Sequence, residues 1–208
     1  MIDADMTFLG EMNFVAQGDG QKFVSLSQSS DSWVNWMNPA NWNWDNRADY
    51  HSTIGLNTNV PTALDIQGGV GKSNIDLSQL KLSSLEVNGG VGEVNLTLPA
   101  NSDNLDARIQ VGVGRIDLTI PSGAAVNAHV KGGVGETEIT LPADSATRIE
   151  ASSGVGDIKI PSRLQKVSGD DGAFGFGKDG VWETPDFATS ARKIVIHYDG
   201  GVGQLKVR

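Results

Sequence analysis

The stretch "ARIQVGVGRIDLTIP", residues 107–121, decides the fold because its apolar side chains follow two separate alternations. Residues 107–113 are apolar at every second position, and residues 116–120 are again apolar at every second position. The phase slips by one residue at Gly114, between the two runs. Period-two alternation indicates strands with one buried face, so the stretch predicts two short strands joined by a corner. Glycine at the corner suits a backbone with positive φ, or a bulge, that a Cβ would obstruct.

The same pattern occurs six times, each time around the tripeptide Gly-Val-Gly. Its valine lies at Val70, Val91, Val113, Val134, Val155 and Val202, with steps of 21, 22, 21, 21 and 47 residues. The corresponding corner glycines are Gly71, Gly92, Gly114, Gly135, Gly156 and Gly203. A period this short predicts an all-β, single-stranded β-solenoid of about six to seven rungs rather than a βαβ fold.

Stacked rungs place equivalent residues in columns. The six corner valines are expected to form one interior column. A second interior column is expected from Ile75, Leu96, Leu118, Ile139, Ile160 and Val207.

The two ends of the chain depart from the period. Residues 1–49 predict N-terminal strands and a tryptophan-rich cap, and residues 50–208 predict the solenoid, with a partial rung near residue 50 and an insertion at about 163–191. The cap contains four tryptophans, Trp33, Trp36, Trp42 and Trp44. They are interpreted as covering the apolar end of the stack, and the alternative is a candidate surface for binding sugars or partners.

Composition limits the class of partner. The 208 residues carry a formal net charge of −9, which disfavours nucleic acid and anionic membranes as partners. Cysteine is absent, so disulfides and thiolate metal sites are excluded. No stretch has the roughly 20 apolar residues of a membrane-spanning helix, so no direct membrane insertion is expected.

Candidate chemistry is sparse. Lys72 in "GGVGKS" resembles a phosphate-binding lysine, but the required spacing of glycines is missing and a strand, not a helix, follows. Lys72 instead begins an outward column of alternating charge that continues through Glu93, Arg115 and Glu136.

A second outward column offers His129, Glu150 and His197, predicted in that order. This order would hold the histidines about 10 Å apart, too far for one zinc ion. No calcium loop, paired catalytic carboxylates or nucleophile motif is apparent, so we expect no enzyme activity, no cofactor and no metal.

Several motifs resemble the toast-rack domain of LiaF-like cell-envelope stress proteins and related adhesin-like proteins of bacteria. They are Leu-Asn-x-x-Val-Pro at 56–61, Leu-Asp-Ile at 64–66, "IDLSQLKLSSLEV" at 75–87, the repeated Gly-Val-Gly, and the closing segment at 181–207. The resemblance covers roughly residues 50–208. It implies a solenoid used as a non-enzymatic module, often attached to membrane-spanning helices that this chain lacks, and an association with the bacterial cell envelope as the soluble part of a longer protein.

Two functional hypotheses follow. The first is a non-catalytic module that binds a protein partner or further copies of itself through its strand faces and open ends. The alternative is an adhesin-like module that binds carbohydrate or another surface through the tryptophan-rich segment.

Overall fold

The computed structural model describes residues 2–6, 11–19, 22–29, 52–100, 102–170 and 176–208. Within these ranges the chain forms thirteen strands and no helix, which confirms the all-β class. None of the described segments is a helix long and apolar enough to cross a membrane. Two compact units are present, Met1–Asn57 and Thr58–Arg208.

The first unit contains two separate antiparallel strand pairs. Strand β1 (Ile2–Met6) pairs with β4 (Ser52–Leu56), and β2 (Glu11–Gln17) pairs with β3 (Phe23–Ser29). Strand β4 was expected to be a partial rung of the repeat. That prediction is wrong, because β4 pairs antiparallel with β1 instead of stacking parallel on the first repeat.

The second unit is one nine-stranded mixed sheet. Its strands in chain order are β5 (Thr62–Gln67), β6 (Val70–Asp76), β7 (Leu82–Thr97), β8 (Leu105–Thr119), β9 (Val126–Thr140), β10 (Ala146–Lys159), β11 (Gln165–Ser168), β12 (Phe176–Glu183) and β13 (Lys193–Val207). Across the sheet the order is β5 and β6, then β7, β8, β9, β13, β10, β12 and β11. Each Gly-Val-Gly copy after the first is one continuous bent strand, whereas the first copy is divided into β5 and β6.

The repeats pair in parallel and in register through their corners. Val91 lies beside Val70 on one side and Val113 on the other, and Val134 follows Val113. The insertion adds β11 and β12, which pair antiparallel beyond β10 and make the sheet mixed.

The last strand does not occupy the end of the stack. Strand β13 lies between β9 and β10 and pairs in parallel with both, so that Val202 is opposite Val134 and Val155 at once. The column order implied by a simple sequential solenoid is therefore wrong beyond β9. Equivalent positions of all copies have the same apolar pattern, so β13 fits this slot as well as it would fit the end.

The core lies between the two arms of the bent strands. Side chains before the corner, such as Ile109, and after it, such as Leu118, are each 1% exposed. The second predicted interior column is confirmed at Leu96, Leu118, Ile139 and Val207, which are all buried, while Ile75 and Ile160 pack partly buried against them. Each fully buried leucine or isoleucine contributes about 1.5–3 kcal/mol.

Polar anchors hold both ends of β13. At its start the Arg192 guanidinium donates to the carbonyl oxygens of Ser102 at 2.8 Å and Gly123 at 2.9 and 2.6 Å. At its end Arg208 pairs with the Glu138 carboxylate of β9, whose side chain is 8% exposed. These contacts attach β13 to loops and strands that precede it in the chain.

Candidate interaction surfaces

The corner valines form an exposed row, which we call the valine row: Val70, Val91, Val113, Val134, Val155 and Val202. Their exposed fractions run from 39% at Val155 to 87% at Val70. The prediction that they form an interior column is wrong. In the β8 copy Val111 and Ile116 are 3% and 1% exposed, so the chain bends toward the core between them and Val113 lies on the outer side of the bend.

The corner glycines make this bend possible. The six of them have φ between 136° and 145°, a region that side chains with a Cβ rarely adopt. At Gly114 a Cβ would also collide with the carbonyl oxygen of Gly92 on the neighbouring strand. Glycine therefore lets successive corners approach closely, and it leaves the valines of the valine row as the side chains that project on the outer side of the bend.

The valine row is regular because the strands below it are in register. Neighbouring strands are spaced by about 4.8 Å, so six corners extend over about 24 Å. Among the described residues of the second unit, the other exposed large apolar side chains are Val60 and Val167, which lie outside the row. A contiguous exposed apolar feature of this kind marks an interaction site more often than scattered apolar residues do.

A groove of about 550 Å³, lined by both apolar and polar side chains, crosses the outer face of the arm before the corner. It extends from Glu86 on β7 to Asp179 on β12, and its lining includes His129, His197 and Glu150. Because β13 lies between β9 and β10, the order of this column is His129, His197, Glu150, which corrects the predicted order His129, Glu150, His197.

Strand β13 brings the imidazole rings of His129 and His197 into direct contact. The His129 and His197 rings are stacked with centroids 4.7 Å apart and an interplanar angle of 12°. His197 Nδ1 lies 3.1 Å from Glu150 Oε2, and Arg148 also pairs with Glu150 at 2.8 Å. Within the described ranges no group of three or more His, Asp or Glu side chains is arranged to hold a metal ion.

The charge column after the corner pairs as its alternation predicts. Lys72 Nζ lies 2.8 Å from Glu93 Oε1, and Arg115 lies 3.2 Å from Glu136. The hydrogen bond from Lys72, followed by one from Asn95, lowers the pKa of Glu93 below its ordinary value. Lys72 therefore has a structural carboxylate partner, and it continues a strand rather than beginning a helix.

Arg115 is the centre of the most connected group on this face. Its guanidinium lies 2.7 Å from Asp117 and 3.1 Å from Glu138, in addition to Glu136. The hydrogen bond and charge of Asp117, followed by the charges of Glu136 and Glu138, raise the pKa of Arg115. This group ties β8 to β9 and, through Glu138, to β13.

The four tryptophans proposed as a binding surface, Trp33, Trp36, Trp42 and Trp44, lie outside the described residues. The sequence also did not single out Arg192 or Glu138. Charge alone could not identify them, because their role depends on the position of β13.

Comparison with known proteins supports one family. The model of the family described as the N-terminal domain of toast_rack, DUF2154, matches residues 14–119 of the 208. A crystal structure described as that of a "putative cell adhesion protein" from Clostridium sporogenes ATCC 15579 is similar in fold, with a TM-score of 0.56 and 22% identity. The similarity covers 95% of this chain and 74% of that chain. A search of curated proteins gave no match.

Proposed function

Since the chain belongs to the toast-rack family, we propose that it is a non-catalytic β-solenoid scaffold that acts through protein interaction, and that it associates with further copies of itself at the valine row. The observation that carries the proposal is the exposure of all six corner valines. Exposed apolar side chains in an unbroken row gain free energy when a partner removes them from water.

A second copy fits the row because the row is periodic. Two rows with the same strand spacing interdigitate when one copy is rotated by a half turn, which gives an isologous contact. The residues on each side of Val113 and Val134 are glycines without side chains, so the valines are the side chains that a partner meets there. Beside the row Lys72 pairs with Glu93 and Arg115 pairs with Glu136, so these charges are offset by partners within the same copy.

The expected affinity is modest. Each corner valine is already partly buried, so covering the rest contributes about 1 kcal/mol per valine, or roughly 12 kcal/mol for the twelve valines of two copies; after the cost of association, at least about 4 kcal/mol, no more than about 8 kcal/mol remains. Free energies of this size correspond to dissociation constants from about micromolar to millimolar. Self-association should therefore depend steeply on concentration, as expected for a module that works when many copies are held close together.

Light scattering over a concentration series tests the proposal. The double variant Val113→Lys with Val134→Lys places two charges in the row, and the double variant Val60→Lys with Val167→Lys makes the same change at exposed valines outside it. Starting from the isolated 22.0 kDa monomer, the wild type and the Val60/Val167 control should rise in mass with concentration, and the row variant should not. Equal association of the row variant and the wild type would refute the valine row as the contact.

An envelope location and an adhesive role agree with this proposal. The similar solved structure is described in terms of cell adhesion, and a weak, repeated apolar contact suits a protein presented at high density on a surface. The tryptophan-rich segment as a sugar-binding surface stays a prediction, for which quenching of tryptophan fluorescence by soluble polysaccharide is the assay.

A further inference from the structure

The slot between β9 and β10 is filled by a strand that comes from a distant part of the chain. β13 forms thirteen residue pairs with each of its two neighbours, in parallel and in one register. Without it, β9 and β10 would each present an open edge, which is a template for another strand. The slot therefore needs a strand of this pattern, and the requirement does not specify which copy of the chain supplies it.

The spacing of the repeats in the sequence is that of directly adjacent strands at β9 and β10, although β13 lies between them. Val113 and Val134 are 21 residues apart on adjacent strands, β8 and β9. Val134 and Val155 are also 21 residues apart, although β13 separates their strands. The connection from β9 to β10 has thus gained no length to accommodate the extra strand, and β9 and β10 match each other's corner register when β13 is elsewhere.

All the contacts that hold β13 are made with partners that any copy of the chain offers. Ile194 and Ile196 are 1% and 0% exposed between the arms of the neighbouring strands. Arg192 binds the Ser102 and Gly123 carbonyl oxygens, and Arg208 binds Glu138. A β13 donated by a second copy would make every one of these contacts unchanged. Exchange of an identical element preserves its contacts, so it is a low-cost route to an oligomer.

The segment before β13 can serve as the hinge. Residues 184–192 join β12 to β13, and they are folded back by turn hydrogen bonds such as Phe187 N to Thr184 O at 3.1 Å and Ser190 N to Asp186 O at 3.1 Å. These bonds are local to the segment. Thr184 itself is fixed to Thr147 of β10 by two hydrogen bonds, so opening the turns would let the residues after it, 185–192, extend over as much as about 28 Å.

We infer that β13 is an exchangeable strand: β13 of one copy enters the slot between β9 and β10 of a second copy, and reciprocal donation closes an intertwined dimer. This second mode of self-association differs from contact at the valine row, because it replaces one interior strand by the same strand of a second copy and does not depend on the exposed valines. It is a form of strand donation into a sheet.

Single cysteines in separate chains test the exchange, since the protein has no cysteine of its own. Lys131 on β9 and Asp199 on β13 are exposed register partners, and neighbouring strands are spaced by about 4.8 Å, within the range that a disulfide spans. Chains with Lys131→Cys and chains with Asp199→Cys are refolded together at high concentration and oxidised. Exchange predicts a disulfide-linked species of twice the 22.0 kDa chain mass on non-reducing electrophoresis.

Two controls make the result decisive. Gln110→Cys chains mixed with Lys131→Cys chains carry register partners on β8 and β9, which exchange leaves within one chain, so no linked dimer should form. A single chain with both Lys131→Cys and Asp199→Cys should close its disulfide internally in the monomer and then be unable to exchange. If the double variant closes internally while the Lys131/Asp199 mixture gives no more linked dimer than the Gln110/Lys131 mixture, β13 stays in its own chain and the inference is overturned.

The two modes of association fail separately. A mass that rises with concentration and depends on the valines, without linked dimers, refutes exchange and leaves the valine row intact. If linked dimers form and the valine substitutions leave association unchanged, exchange is supported and the valine row is refuted as the contact.

Discussion

Replacing the corner glycine Gly114 by alanine should destabilise the protein by two separable effects. The first is backbone strain, because φ at this position is 136°, and holding a residue with a Cβ there costs about 1–3 kcal/mol. The second is a collision between the new Cβ and the carbonyl oxygen of Gly92 on the next strand. Forcing atoms into a packed site costs about a further 1–3 kcal/mol.

The first repeat provides matched controls for each effect. Gly71 has φ of 140°, but a Cβ there would meet nothing within 4 Å, so Gly71→Ala should show the strain alone. Gly69 has open space and lies outside the positive-φ region, so Gly69→Ala should change the free energy of unfolding by less than about 0.5 kcal/mol.

Urea unfolding followed by far-ultraviolet circular dichroism measures these differences, with stability compared through the midpoints and a common slope. The expected order of destabilisation is Gly114→Ala, then Gly71→Ala, then Gly69→Ala. A Gly114→Ala variant as stable as Gly71→Ala would mean that successive corners are not in close contact, which would contradict the close approach of Gly114 to Gly92.

Three further results are expected. Glu138→Gln should lower the free energy of unfolding by about 1–2 kcal/mol, which is less than the loss of a fully buried ion pair because the cations around Glu138 are more than a third exposed. Glu136→Gln should lower it by under about 1 kcal/mol, and equal losses for the two variants in urea unfolding would contradict the role of Glu138 as an anchor of β13. Arg192→Ala should cost about 1–2 kcal/mol by releasing the start of β13, and Arg192→Lys should restore little because lysine lacks the forked donors; full rescue by lysine would show that charge alone suffices. Because the pKa of Glu93 is lowered in the folded protein, the Glu93 carboxylate stabilises the fold at pH values above its ordinary pKa, and this contribution is lost as the pH falls through the lower folded value. An NMR titration of Lys72→Gln should show a higher Glu93 pKa than in the wild type, and an unchanged pKa would mean that Lys72 is not the cause.

The repeated strands of the second unit and the register of their corners could be predicted from the sequence because two signals agree, whereas β11 and β12 of the insertion were not predicted. Period-two alternation identifies the strands, and the repeated Gly-Val-Gly aligns them. The interior positions after the corner, such as Leu118, follow directly from this alternation. The opposite charges of Lys72 and Glu93 also marked neighbouring strands correctly.

The side of the corner on which the alternation breaks could not be predicted. Gly112 and Gly114 flank Val113 and have no side chains whose polarity would mark inside and outside. Counting onward from Val111 places Val113 inward, and counting back from Ile116 does not settle the matter because a residue with positive φ intervenes. The bend itself turns the valine outward.

The position of β13 was equally hidden, for a different reason. Its corner and alternation match those of β9 and β10, so a repeat offers several slots of similar fit. The choice depends on three-dimensional contacts, such as those of Arg192 with the loops at Ser102 and Gly123. The stacked pair of His129 and His197 follows from the same placement and has no local signature in the sequence.

Thiol labelling tests the central claim, the outward position of the valine row, most directly. Val113→Cys and Val111→Cys place single thiols two residues apart at sites that are 46% and 3% exposed, in a protein without other cysteines. Under native conditions a soluble thiol reagent should modify Val113→Cys about as fast as it modifies the unfolded chain, and Val111→Cys should react only when the protein opens. Protection of Val113→Cys together with rapid labelling of Val111→Cys would contradict the account.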